Sequence, residues 1–216
     1  NACVNKIDER LSFSEASLAE PLACVINGQE LSGVGLGKVV VVIGAGPIGC
    51  LHVMLSRSLG AKKVILADIS AERIKKSEVS QADIFLDSSK VNLKEEVLKV
   101  TSGRGAEVVI VACSSGKAQE EALEIVAKKG KVNFFGGLPK DKPCINFNSN
   151  LLHYGEFSVV GTHGSSPCHN ALALELIRSQ KILVKNLITH RLPLEKIYEG
   201  LRLTEKGEGL KTIIEP

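Results

Sequence analysis

From Gly37 onward, short apolar runs rich in β-branched residues alternate with segments of helical periodicity. The apolar runs predict strands at Val39–Ile43, Val64–Ala67, Ile84–Leu86, Val108–Val111, Lys131–Phe135 and Phe157–Val160. The segments between them predict helices at Pro47–Leu59, Ala71–Val79, Leu93–Thr101 and Gln119–Ala127. Wholly apolar strands that alternate with amphipathic helices are typical of a parallel sheet covered on both faces. We therefore predict an α/β fold, a doubly wound six-stranded parallel sheet.

The two ends of the chain show a different pattern. Residues 1–37 contain one predicted helical segment, Phe13–Glu30, with no alternation of strand and helix. Residues 184–216 predict a short strand, an amphipathic helix and a terminal strand. The apolar face of that helix is predicted from the three- and four-residue spacing of Leu194, Ile197, Leu201 and Thr204. We expect this tail to lie outside the six-stranded sheet.

Composition and charge exclude several classes of protein. The 216 residues are 44% hydrophobic, and 27 basic against 24 acidic residues give a net charge of +3 with the two signs interspersed. That balance argues against a nucleic-acid or anionic-membrane surface. Apolar runs such as Val39–Ile43 are too short for a membrane span, and no secretory signal opens the chain. We therefore expect a cytoplasmic protein.

The cysteines predict no structural zinc knuckle. They are scattered, without a C-x-x-C pair, at Cys3, Cys24, Cys50, Cys113, Cys144 and Cys168. Cys50 and Cys113 lie in strongly apolar stretches, so we expect both to be small buried hydrophobic residues.

The stretch GAGPIG places Gly44, Gly46 and Gly49 in the G-x-G-x-x-G spacing, between a predicted strand and a predicted helix. In such a turn the first glycine makes the tight bend, the second lets the backbone approach a pyrophosphate, and the third lets helix and strand pack closely. Pro47 suits the first helical turn, where the amides and the helix dipole face the phosphates. The pattern indicates a Rossmann dinucleotide-binding domain.

The end of the second predicted strand indicates which dinucleotide is bound. Asp68 follows Gly49 by 19 residues, where a carboxylate takes both hydroxyls of the adenosine ribose. Its negative charge would repel the 2′-phosphate of NADP, so NAD is favoured. Arg73 either stacks on the adenine or lies solvated on its helix. A methyltransferase is the main alternative for the glycine turn, but Pro47 and the six strands argue against it.

We find no complete catalytic site in the sequence. A tyrosine with a lysine four residues later is excluded, because Tyr154 and Tyr198 are followed there by Ser158 and Arg202. A second kind of catalytic site for a dehydrogenase uses zinc held by Cys, His and carboxylate ligands. No histidine has ligand spacing to another among His52, His153, His163, His169 and His190.

Four stretches together resemble the zinc-dependent medium-chain dehydrogenase superfamily, nearest to its sorbitol and polyol dehydrogenase branch. They are EPLACVINGQE (20–30), VVVVIGAGPIGC (39–50), ILADISAER (65–73) and the last thirty residues (187–216). The resemblance covers essentially the whole chain. It implies a cofactor domain at 31–184, a remnant of a catalytic domain with the interdomain helix at 1–30, and a C-terminal segment at 185–216 that returns to the catalytic domain. Most of the catalytic domain, with its zinc ligands, is expected to be missing.

The resemblance also implies roles for single residues. Glu20 would approach the catalytic zinc of the intact enzyme, or be an exposed carboxylate ahead of Pro21. Lys211 would lie near the pyrophosphate, or be a solvated lysine beside a strand. The residues implied to line the cofactor cleft are Ile48, Cys113, Phe135, Gly136, Gly137, Thr162 and His163. His163 is also a candidate substrate-pocket residue. Sorbitol-type enzymes often carry an arginine and an aromatic residue there, so the polyol is not identified.

The implied function is hydride transfer between a secondary alcohol and NAD, with zinc in the intact enzyme and with the isolated fragment inactive. Two alternatives remain open from the sequence, a non-catalytic dinucleotide-binding module and a zinc-free quinone reductase. The resemblance further implies a homodimer or homotetramer, in which the Phe157–Val160 edges of two sheets pair.

Overall fold

The computed structural model describes residues 4–216, so Cys3 lies outside the described residues. Six strands form one sheet, and each neighbouring pair runs parallel. The strands are β1 (Val39–Ile43), β2 (Lys63–Asp68), β3 (Ile84–Asp87), β4 (Ala106–Val111), β5 (Val126–Phe134) and β6 (Ser158–Gly161). Their order across the sheet is β3-β2-β1-β4-β5-β6. The predicted doubly wound parallel sheet is confirmed.

Helices cover both faces of this sheet. They are α1 (Phe13–Ala16), α2 (Ala19–Ser32), α3 (Pro47–Ser58), α4 (Ala71–Ser77), α5 (Leu93–Val100), α6 (Gly116–Ile125), α7 (Ser149–Gly155) and α8 (Pro167–Arg178). Every residue of β1 is buried. Successive β1 side chains enter different clusters, Val41 with α5 and α6 and Val42 with α3. This two-sided burial explains why the central strands are wholly apolar.

Helix α2 is a buried element of this packing. Its buried side chains join α3 and α8 in one apolar cluster, with Leu22, Ala23 and Val25 fully buried. The helix ends at Gly33, in the left-handed conformation at φ +64°. Lys131 donates from Nζ to the Leu31 carbonyl at 3.0 Å, so a cation from β5 interacts with the negative end of the helix dipole.

Several predicted boundaries were wrong. The predicted segment Phe13–Glu30 is two helices, α1 and α2, that are separated at residues 17–18. The helix predicted to reach Ala127 ends at Ile125, because Val126 already pairs with Ala106. The pairing register then shifts, with Lys129 at φ +60°, before the strand continues from Lys131. This irregularity lengthens β5 well beyond the apolar run that predicted it.

Helices α7 and α8 were not predicted. The start of α8 carries the expected signals, since Pro167 occupies its first turn and the Ser166 side chain accepts from the His169 amide at 3.3 Å. Only Ala173 and Ile177 of this helix are fully buried, so its apolar face is narrow and its periodicity is weak.

The tail forms a unit of its own, as predicted. Strands β7 (Ile188–Pro193) and β8 (Lys211–Glu215) pair in parallel as a separate two-stranded sheet, joined by α9 (Ile197–Glu205). The predicted apolar face of α9 is uncovered, because Leu201 is 60% exposed. The helix contacts the strands through Gly200 instead, where an added Cβ would lie 3.0 Å from Ile214. None of the helices within residues 4–216 has the length and apolar character that crossing a membrane requires.

Candidate functional site

The glycine turn between β1 and α3 meets three different steric demands. Gly44 adopts φ +113°, and a Cβ there would lie 2.9 Å from the Ala112 carbonyl oxygen. A Cβ on Gly49 would lie 1.8 Å from the Gly44 carbonyl oxygen, so α3 packs so closely against the turn that only glycine fits there. At Gly46 no atom lies within 4 Å of an added Cβ. The middle glycine thus leaves open space where a phosphate can approach the backbone.

The N-terminus of α3 faces this space. Pro47 occupies the first turn and Gly46 is the N-cap residue, with no side-chain cap. By contrast, the side chains of Asn92, Ser115 and Ser166 cap α5, α6 and α8. The first amides of α3 are therefore not paired with a capping side chain, which suits an anionic ligand at the positive end of the helix dipole.

Asp68 ends β2 beside the glycine turn and is 7% exposed. Its Oδ2 accepts from the Ala45 amide at 2.8 Å, and its Oδ1 accepts from the Ser70 amide at 2.9 Å. A carboxylate offers about four acceptor sites, so two backbone amides leave capacity for further donors. The side chain is held rigidly and can still accept hydrogen bonds from two hydroxyls.

A cleft of about 360 Å³ lies over the carboxyl ends of β1, β2 and β4. Its lining is Ile43, Gly44, Asp68, Ile69, Arg73, Ser88, Cys113, Ser114, Ser115, Lys117, Ala118 and Glu121. Strand order reverses between β1 and β4, and that reversal is where open α/β sheets bind ligands. The α6 side chains Lys117 and Glu121 were missed in the sequence, although Lys117 directly follows the stretch VACSSG (Val111–Gly116), which contains Cys113.

Cys113 lies half-buried at the end of β4, so the expectation of a buried cysteine is correct for Cys50 and only partly correct for Cys113. Burial, and then the nearby Asp68 carboxylate, raise the pKa of the Cys113 thiol. The segment after β5 packs tightly on it, since a Cβ on Gly136 would lie 2.4 Å from the Cys113 carbonyl oxygen. Cys113 is therefore a neutral wall of the cleft, and Gly136 makes the close approach possible.

Two of the residues expected to line the cofactor cleft, Phe135 and Thr162, direct their side chains at other residues of the protein. The Phe135 ring packs edge-to-face on His52, with centroids 4.6 Å apart, and also lies against Gly28. Thr162 donates from Oγ1 to the Asn133 Oδ1 at 2.8 Å. These contacts leave the backbone of Phe135 and Thr162 for any ligand contact.

The remaining predicted residues lie in different places. Gly137 has no atom within 4 Å of an added Cβ, and His163 is exposed. Ile48 is half-buried against the cluster that α2 and α8 form. Lys211 begins β8 and is not among the residues that line the cleft.

Only a partial metal site is present in the described part of the chain. Glu20 is exposed in the first turn of α2, and the Cys24 Sγ lies 3.3 Å from its Oε1. Burial, and then Glu20, raise the pKa of the Cys24 thiol. Residues 4–216 contain no group of three or more His, Cys, Asp or Glu side chains that could hold a metal ion. Glu20 can contribute one ligand, and the chain does not complete a zinc site.

Comparison with known proteins identifies relatives of this arrangement. Residues 47–179 match the family described as zinc-binding dehydrogenase. The sorbitol dehydrogenases of Halalkalibacterium halodurans and Homo sapiens are 31% and 32% identical to this chain, in alignments that cover 97% of it. The chain spans 60% and 58% of their lengths. An alcohol dehydrogenase structure from Thermotoga maritima superposes with a TM-score of 0.90 at 29% identity, over 98% of this chain and 60% of that one.

Proposed function

The chain belongs to the zinc-binding dehydrogenase family, and we propose that it forms the NAD-binding portion of a zinc-dependent alcohol or polyol dehydrogenase. The geometry of the glycine turn and of Asp68 carries this proposal. Gly46 leaves space at the uncapped start of α3, and Asp68 stands beside it at the end of β2. With the diphosphate at Gly46 and the adenosine ribose at Asp68, the nicotinamide would extend towards Gly137 and His163.

Asp68 supports NAD rather than NADP as the cofactor. Its carboxylate is nearly buried and is held by the amides of Ala45 and Ser70. The 2′- and 3′-hydroxyls of an adenosine ribose can donate to its remaining lone pairs. A 2′-phosphate would bring negative charge against that carboxylate, in a place where water screens the repulsion poorly.

The zinc chemistry belongs to the intact enzyme in this proposal. When bound, zinc would act as a Lewis acid that polarises the substrate hydroxyl and lowers its pKa. Glu20 would face that metal from the first turn of α2, directly or through water. His163 and Gly137 would form the wall of the substrate pocket next to the nicotinamide. Because residues 4–216 hold no set of three metal ligands, we expect this chain alone to bind NADH without oxidising polyols.

The same proposal assigns the parts of the chain to two domains. Residues 31–184 would form the cofactor domain, and 185–216 would return to a catalytic domain. Residues 1–30 would hold a remnant of that domain and the interdomain helix, α2, which packs against α3 and α8. The uncovered apolar face of α9 supports this division for the tail, because an exposed apolar face often marks a contact surface for another part of the protein. The similarity to sorbitol dehydrogenases favours this function over the quinone reductase and the non-catalytic module.

The proposal extends to assembly. Strand β6 is an edge of the sheet, and two of its residues, Ser158 and Val159, are exposed side by side. An edge strand carries unpaired amides and carbonyls that a second copy can satisfy. Two copies that pair β6 with β6 would form a homodimer with one continuous sheet, and a homotetramer would need a second contact.

Titration calorimetry with NADH and NADPH tests the cofactor assignment. We expect NADH to bind the chain and NADPH to bind at least tenfold more weakly, because of the charge at Asp68. Asp68→Asn should weaken NADH binding about tenfold, since it removes a charged acceptor of two hydrogen bonds. Asp87→Asn is the matched control, because Asp87 pairs with Asp68 at the end of β3. Absence of NADH binding by folded protein would refute the proposal.

A further inference from the structure

The turn that joins α9 to β8 contacts the helix that follows Asp68. Helix α9 ends in a Schellman motif, in which the Gly207 amide donates to the Thr204 carbonyl at 3.1 Å and the Glu208 amide donates to the Leu203 carbonyl at 2.8 Å. Gly207 itself adopts φ +69°. The motif therefore fixes the direction in which the chain leaves α9. It also fixes which side of Gly207 faces α4.

That face lies against two cations of α4. Lys76 donates from Nζ to the Gly207 carbonyl at 3.2 Å, while the same Nζ bonds Glu72 at 2.6 Å. The Arg73 guanidinium lies so close that a Cβ on Gly207 would be 3.2 Å from Nη2 and 3.6 Å from Nε. Arg73 is exposed, and its guanidinium lies between the tail and the cleft that it lines with Asp68.

We propose that Gly207 is a positioning residue for cofactor binding, acting through Arg73. The proposal rests on the proposed function, because it assumes that the cleft binds the adenosine half of NAD. Glycine at this place lets the guanidinium approach the turn closely, while Arg73 still lines the cleft where adenine or diphosphate would lie. A side chain would push the guanidinium away from the tail and change its position against the ligand.

This arrangement couples the tail to the cofactor domain. Arg73 lies against the turn on one side and, once ligand is present, would lie against the nucleotide on the other. Ligand binding and the order of the turn then stabilise each other, as thermodynamic linkage requires. The coupling should be modest, because a cation against an adenine at an exposed site changes affinity about two- to five-fold.

The test is a double-mutant cycle measured by calorimetry with NADH and with ADP. Gly207→Ala should weaken binding of NADH by about two- to five-fold, and binding of ADP by the same factor, because Arg73 contacts the adenosine half. In the Arg73→Ala background, Gly207→Ala should have no further effect, since the residue through which it acts is gone. A purely structural role of Gly207 would instead give additive effects, and additivity overturns the proposal.

Gly103→Ala is the matched control for backbone strain. Gly103 follows α5 at φ +80°, and no atom lies within 4 Å of an added Cβ. Its substitution carries a similar conformational cost without touching the cleft, so NADH affinity should be unchanged. Equal losses in the Gly103 and Gly207 variants would overturn the proposal. Lack of NADH binding by the unmodified chain would instead refute the proposed function, so the two failures can be told apart.

Hydrogen exchange in the unmodified chain supplies a second measurement, which decides the question if Gly207→Ala does not fold. Saturating ADP should slow exchange of the Gly207 and Glu208 amides, while the Gly103 amide exchanges at the same rate with and without ligand. Unchanged exchange at Gly207 and Glu208 in the presence of bound ADP would overturn the proposal.

Discussion

At the scale of single residues, the three glycines of the phosphate turn show why one spacing carries so much information. Gly44 needs a positive φ, Gly49 needs the absence of a Cβ against the Gly44 carbonyl, and Gly46 needs open space. Gly44 and Gly49 are thus steric requirements of the fold, whereas Gly46 is required only where a ligand approaches the backbone.

His52 is a buried titratable residue of α3, the helix that begins at the glycine turn. It is fully buried on α3, where the Gln29 Nε2 lies 3.3 Å from its Nδ1 and donates to its backbone carbonyl at 2.7 Å. Burial lowers the pKa of His52 to about 3. The imidazole is therefore neutral in the folded protein and packs against Phe135 as an aromatic residue.

His52 predicts a specific pH dependence of stability. Between the unfolded pKa of about 6.5 and the folded pKa of about 3, only the unfolded state binds a proton at this site. Stability should therefore fall as the pH falls through this range, by on the order of 1 kcal/mol per pH unit. Denaturant unfolding from pH 7 to pH 4 measures the slope. His52→Gln should reduce it, whereas His153→Gln, at an exposed position, should leave it unchanged. An identical slope in the His52 variant would disprove this explanation.

At the scale of elements, the two edge strands of the sheet, β3 and β6, differ in how exposed their residues are. Strand β3 has one buried and three half-buried residues, whereas three of the four residues of β6 are exposed. An edge strand left open in this way is a template for pairing with another chain. The difference makes β6, rather than β3, the expected dimer contact.

A charge on β6 should therefore break the proposed dimer. Val159→Lys places a cation on the exposed edge, and two such cations would face each other across a two-fold axis. Val91→Lys is the matched control, because Val91 and Val159 are equally exposed at 38%. Sedimentation should give a dimer for the unmodified chain and for the Val91 variant, and a monomer for the Val159 variant. A monomeric unmodified chain would rule out β6 pairing.

At the scale of the whole molecule, the cleft proposed to bind the cofactor joins parts that are distant in sequence. The glycine turn, Asp68 and the β4–α6 segment meet at the strand ends, and the tail contacts α4 from the other side. Ligand that binds only the folded chain must then stabilise all of these parts together.

Thermal unfolding should report this stabilisation. At a hundred times its dissociation constant, NADH should add about 2.7 kcal/mol, which corresponds to a rise in Tm of roughly 5–10 °C for a chain of this size. Nicotinamide mononucleotide, which lacks the adenosine half, should give a much smaller shift at the same concentration. An unchanged Tm at saturating NADH would contradict the binding site described above.

The sequence alone determined the parallel sheet, the glycine turn and the separate tail, because each depends on local periodicity or on residues close together in the chain. It did not predict α8, whose buried face is narrow, or the early start of β5, which depends on pairing with Ala106 across the sheet. Only the tertiary structure turned the Phe135 ring onto His52 and the Thr162 hydroxyl onto Asn133. Only the tertiary structure placed Gly207 against Arg73, because that contact arises where the tail returns to the cofactor domain, and no local pattern records it.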